Sequence, residues 1–185
     1  MMRTDKRRNS SIKSALTKRI AVYTLLFFVL SVIECSFLGR IEILPALPDL
    51  LIAAVAAIAV IDRHEGTLVS AIIAGIMIDA IGGVGIYLSP LVYFVIALFI
   101  TLIAKKMMTS YLSYLAILPI VCLLRAAATI GEAYIYRQGY SIVEILKYAV
   151  LPEAICTLIF ALPLYPLVAL CAKIMTKQKR LKIEN

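Results

Sequence analysis

The chain has a single histidine, His64, and its four cysteines, Cys35, Cys122, Cys156 and Cys171, stand far apart with no C-x-x-C spacing. That distribution offers no paired ligands for a metal and no disulfide framework. All four cysteines lie in apolar runs, where a thiol serves as a small buried hydrophobe. No phosphate-binding glycine loop and no nucleophile motif occurs, so no enzyme, cofactor or metal chemistry is expected. Charge is scarce as well: Asp, Glu, Lys and Arg make up 16% of the residues, gathered at the two ends and in short loops. The apolar runs between them also lack the strict alternation a membrane barrel requires.

What remains is hydrophobic length. The 185 residues are 63% hydrophobic, with a mean hydropathy of +0.98. Apolar runs of about 18 residues or more are candidates for membrane helices, and in lipid only helices or closed barrels satisfy the backbone. The expected fold is therefore all-α, a polytopic membrane protein with six transmembrane helices and one short interfacial helix. Residues 1–18 form a basic cytoplasmic arm, 19–173 the membrane domain and 174–185 a basic cytoplasmic tail.

In chain order, helix 1 is expected over Arg19–Leu38 as an uncleaved span, since no small-residue cleavage site follows it. Pro45 and Pro48 make residues 41–48 an extended connector. Helix 2 then runs from Asp49, a carboxylate suited to the positive end of a helix dipole, to Ile61, with Ala53, Ala54, Ala56 and Ala57 allowing close approach. Helix 3 spans about Thr67–Ile81 and carries Gly75 and Asp79, and Gly82 opens the glycine turn 82–85. Helix 4 is expected over Tyr87–Ala104 and helix 5 over Tyr111–Tyr136, kinked at Pro119. Ser141 and Glu144 read as a capping box for a short interfacial helix over 141–150, and helix 6 starts near Pro152.

The net charge of +8 is explained by position. With the amino terminus inside and six crossings, inside segments hold fifteen Lys and Arg and outside segments three, Arg40, Arg137 and Lys147. That asymmetry is the positive-inside pattern, so both termini are expected in the cytoplasm. The basic ends are suited to anionic lipid, and nucleic acid is not an expected partner.

On this topology Glu34, Asp49, Asp79, Arg125, Glu132 and Glu153 all fall in the outer half of the membrane or at its edge. Asp49 and Glu153 suit helix starts, and Glu34 and Glu132 can reach headgroups. Asp79 and Arg125 lie deeper, where a charge is costly and marks either a structural ion pair or a partner or ligand surface. Asp79 and Glu132 are the first candidates to pair with Arg125. Arg125 and Glu132 are seven residues apart and share a helix face.

Pro48-Asp49-Leu50-Leu51 at the start of helix 2, the turn closed by Glu65-Gly66, and Ala74-Gly75 followed by Asp79 and Gly82-Gly83-Val84-Gly85 together resemble the rod shape-determining protein MreD family. The similarity is strongest over residues 48–91 and extends in pattern over nearly the whole chain. It implies a non-enzymatic membrane subunit of the bacterial cell-shape machinery, in the cytoplasmic membrane. The implied partners are an MreC-like protein and MreB-like, RodA-like and penicillin-binding transpeptidase proteins. Asp49, Gly75, Asp79 and Gly82 match the family pattern as positions that set helix packing and the outer turn. MreD-type proteins also look like the substrate-binding subunits of energy-coupling-factor vitamin transporters, which is the rival reading. Helix 1 lacks the Ala-x-x-x-Ala face that such subunits often carry, and the one such spacing, Ala53 to Ala57, lies on helix 2.

Overall fold

The computed structural model describes residues 2–36, 47–62, 66–82, 88–106, 108–135 and 141–181, and these are helical throughout apart from short connectors. In order they form α1 (Met2–Ser36), α2 (Leu50–Asp62), α3 (Gly66–Gly82), α4 (Ser89–Ala104), α5 (Tyr111–Ile135), α6 (Ile142–Ile145), α7 (Leu151–Ala161) and α8 (Leu164–Leu181), with a π-helical turn at Leu146–Val150 joining α6 to α7.

The bundle is arranged around α2. Every residue from Leu50 to Val60 is buried, so α2 has no outward face and belongs to the class of helices apolar all round. It packs against α1, α3, α4, α5, α7 and α8. Five alanines on α2, Ala53, Ala54, Ala56, Ala57 and Ala59, are fully covered and let its neighbours approach closely. Large side chains fill the spaces between the surrounding helices, chiefly Tyr23, Phe27, Tyr93, Tyr114 and Ile117.

The outward faces are apolar too. Leu25, Phe28 and Val29 on α1, Leu91 and Leu102 on α4, and Leu112 and Leu123 on α5 are all exposed. A continuous coat of this kind is a liability in water and the ordinary condition in lipid. By length and composition, α1 over Leu16–Ser36 and α5 can each cross a membrane, and the bent pair Ile142–Ala161 and Leu164–Met175 can make a third span.

The remaining helices are shorter than six full spans require, although α2 and α3 lie within a residue at each end of the ranges expected from the sequence. α2 has thirteen residues, about 20 Å at a rise of about 1.5 Å each, against a hydrocarbon core of about 30 Å. The apolar run around it is longer, but the helix begins only after Pro48. α3 and α4, with 17 and 16 residues, are likewise short. The expected interfacial helix also differs. Its capping box is present, with Ser141 Oγ accepting from the Glu144 N–H and the Ser141 N–H donating to Glu144 Oε2 at 2.9 Å. The helix does not stop at 150, however, because right-handed backbone continues through Leu146, Val150 and Leu151 into α7.

The expected helix 6 is broken at Leu162-Pro163, where the axis turns by 47°. Proline has no N–H and its ring crowds the preceding turn. Pro166 leaves the Leu162 carbonyl without its helical donor, and the Tyr111 hydroxyl donates to that oxygen at 3.4 Å. By contrast α5 continues through Pro119. The turn at 63–65, the glycine residues 83–85, Tyr136 and the connector as far as residue 46 lie outside the described residues.

At Gly75 the backbones of α3 and α4 come close together. A Cβ built on Gly75 would lie 2.6 Å from the Pro90 nitrogen and 2.8 Å from the Ser89 carbonyl carbon, with Pro90 Cα closer still. Backbone atoms cannot swing aside, so glycine is required here. Replacing Gly75 by Ala is expected to destabilise the bundle by about 1–3 kcal/mol through overpacking. Gly131→Ala on α5, with nothing within 4 Å of the new methyl, is expected to be neutral or slightly stabilising. Unfolding curves of the purified variants in detergent and SDS check the pair, and equal behaviour would remove the packing role of Gly75.

Candidate functional site

The amino-terminal end of α2 is buried, so its first N–H groups, which have no partner within the helix, must be met by protein. Asp49 caps the helix, its Oδ1 accepting from the Ile52 N–H at 2.9 Å and from the Tyr93 hydroxyl at 2.6 Å. The Asp49 N–H donates to Thr157 Oγ1 at 2.9 Å, and the Leu50 N–H donates to Glu34 Oε2 at 3.2 Å. One helix start is thus satisfied by side chains from α1, α4 and α7 together with its own cap.

Arg125 of α5 reaches the same place. Its Nε stands 3.3 Å from Asp49 Oδ2 and 3.5 Å from Glu153 Oε1, and an η nitrogen stands 3.6 Å from Glu132 Oε1. These are ion pairs at separations too long for good hydrogen bonds. Arg125 Nε, Asp49 Oδ2 and Glu132 Oε1 are accordingly buried without a hydrogen-bond partner. Asp49, Glu132 and Glu153 place three carboxyl groups around one guanidinium, with Glu34 beside them on the Leu50 N–H. Beside it lies a cavity of about 10 Å³, lined in part by Asp49, Cys122, Arg125, Glu153 and Thr157. That is about the space one water molecule occupies.

The opposite end of α2 is held by a second polar contact. Asp62 pairs with Arg19 of α1 and accepts from the Tyr23 hydroxyl at 3.0 Å. Between the two ends, Tyr114 of α5 donates to the carbonyl oxygen of Ala161 at 3.0 Å and lies 3.4 Å from that of Ala53.

Of the residues singled out in the sequence, Asp49, Arg125 and Glu132 come together, with Glu34 and Glu153 beside them. Asp79 is set apart. It lies half-buried on α3, its Oδ2 has no hydrogen-bond partner among the described residues, and the described ion pairs of Arg125 go to Asp49, Glu132 and Glu153 instead. Gly75 lies at the α3–α4 contact rather than in the cluster, and Gly82 ends α3. Tyr93 and Thr157 were not legible as participants, since each is a lone hydroxyl in an apolar run, and only the depth of the hydroxyl in that run marks it. Among the described residues no three His, Cys, Asp or Glu side chains converge as metal ligands.

Comparison with protein families, with curated proteins and with solved structures gives no match to this chain.

The arrangement is built to hold helices together. Asp49→Ala removes a cap worth about 1 kcal/mol and leaves Arg125 with less compensation. Breaking a buried pair from one side costs about 3–5 kcal/mol. Asp49→Asn keeps an oxygen for Ile52 and Tyr93 and loses chiefly the ion pair. The expected order of stability is therefore wild type, then Asp49→Asn, then Asp49→Ala, measured by SDS unfolding of protein in detergent. Coincident curves for all three would refute the structural role of Asp49.

Proposed function

We propose that the chain is a non-enzymatic scaffold subunit of MreD type, acting in the cell-shape machinery of the bacterial cytoplasmic membrane through lateral helix contacts with an MreC-like protein. In this reading the bundle crosses the membrane six times, the bent α6–α8 unit being the sixth crossing, and both termini are cytoplasmic. The antiparallel placement of α1 and α2 supports it. Glu34 near the end of α1 meets the start of α2, while Arg19 near the start of the apolar part of α1 meets the end of α2. The basic residues then collect at the Arg19–Asp62 end, as the charge count requires.

The observation that carries the reading is the use made of Asp49. The carboxylate in the Pro48-Asp49-Leu50-Leu51 stretch caps and anchors a helix buried on every side, and the space left beside it is about 10 Å³. A site for a vitamin-sized ligand needs about 300 Å³ or more. Two residues of the resemblance, Asp49 and Gly75, thus serve packing, which suits a scaffold. The rival, a substrate-binding subunit of an energy-coupling-factor transporter, draws on one feature, the unpartnered nitrogens of Arg125, but would need the helices around Arg125 to separate.

Depletion of the protein in its host, followed by microscopy and affinity capture, separates the two. Rounded cells and recovery of an MreC-like protein are expected. Cells that keep a rod shape and lose vitamin uptake would overturn the scaffold reading in favour of transport.

A further inference from the structure

At the Arg19–Asp62 end of the bundle, an open groove of about 490 Å³ runs between the start of α5 and the middle of α8, lined by Tyr111, Tyr165, Pro166, Ala169, Leu170 and Lys173. We infer that this groove is a binding site for one anionic phospholipid drawn from the bilayer. The inference rests on the protein being membrane-embedded and is independent of any role in cell shape.

The groove follows from the broken helix. The bend at Leu162-Pro163 turns α8 away from α7, and the hydroxyl of Tyr111 is drawn to the carbonyl freed by Pro166. The rings of Tyr111 and Tyr114 then meet Tyr165 with centroids 5.4 and 5.3 Å away. The result is an aromatic floor with aliphatic walls. Tyrosine is favoured at the level of lipid headgroups, where one end of the ring is apolar and the other wet.

The charge at the groove is of one sign. Among the described residues of its lining, Lys173 is the one ionisable group other than the tyrosines, and none is a carboxylate. Lys173 lies eight residues after Tyr165, about 12 Å along a helix, so a molecule lying on the tyrosines presents its polar end to the ammonium. In the sequence Lys177, Lys179, Arg180 and Lys182 follow, and Lys105 and Lys106, both exposed, precede the start of α5. An apolar body with an anionic head matches this surface, and basic pockets between membrane helices on the cytoplasmic side are known to take such headgroups. A second copy of the chain would bring an identical basic tail against this one, opposing like charges.

The test uses full-length protein in mild detergent, with phosphatidylglycerol or phosphatidylcholine added and bound lipid counted by native mass spectrometry. Wild type is expected to retain phosphatidylglycerol preferentially. Lys173→Gln should weaken that retention about fivefold, the effect of one basic residue near an anionic headgroup. Ala169→Phe should fill the groove and lower retention of both lipids, and Lys147→Gln, at the other end of the bundle, should behave as wild type. Equal retention of the two lipids by wild type, or unchanged phosphatidylglycerol binding in Lys173→Gln, overturns the inference. Lys173 is exposed, so that variant folds and decides the matter even where Ala169→Phe does not. Alkaline carbonate extraction of cell membranes reads membrane embedding separately.

Discussion

A helix with no exposed side must have both of its ends satisfied by protein, and that requirement on α2 organises the molecule. A surface helix leaves its first N–H groups to water. α2 cannot, so its own cap Asp49 is joined at its start by Thr157, Glu34 and Tyr93 from three other helices, and Arg19 and Tyr23 close its far end on Asp62. Between these ends α2 is all apolar, with alanines where neighbours come closest. The polar contacts supply direction and register that apolar packing alone would leave open, because a helix made only of Leu, Ile, Val and Ala carries no polar group to fix its place.

The two polar ends differ in kind. At Asp62 one carboxylate meets one guanidinium and a hydroxyl, a matched set. At Asp49 three carboxyl groups share Arg125, at separations beyond good hydrogen bonds, beside a water-sized space. Such an assembly gains little from net charge attraction, since taking ions out of water costs several kcal/mol each. Its contribution is specificity. Only one relative placement of α1, α2, α5 and α7 brings Glu34, Asp49, Arg125 and Glu153 within reach of one another.

Much of this was legible in the sequence, and the misses have physical causes. Helix positions followed from apolar runs and breakers, and Asp49 as a helix start followed from the preceding Pro48 and the dipole argument. The gathering of Asp49, Arg125 and Glu132 at one level followed from counting depth along alternating helices. Asp79 was placed at that level too, but depth says nothing of direction around the helix axis, and its nearest candidates went to other partners. The bounds of α2 were legible as well: Asp49–Ile61 is expected and Leu50–Asp62 observed, because Pro48 holds the helix back to that point. Tyr93 and Thr157 carry hydroxyls that hydropathy treats as incidental, whereas in the buried site one donates to the Asp49 carboxylate and the other accepts from the Asp49 N–H.

The burial of α2 bears on where partner choice can reside. Asp49 and Gly75 are internal: one caps the hub and the other lets α3 lie against the backbone of α4. A partner in the membrane plane cannot touch either without taking the bundle apart. Any contact made in the plane of a membrane would fall to the outward faces, to Leu25, Phe28 and Val32 on α1, to Leu112 and Leu123 on α5, and to the bent α8. These faces need only be apolar to be stable in lipid, whereas Asp49 and Gly75 are fixed by what they touch. The two therefore speak first to architecture, and a lateral surface must be sought among the residues that the interior leaves outside.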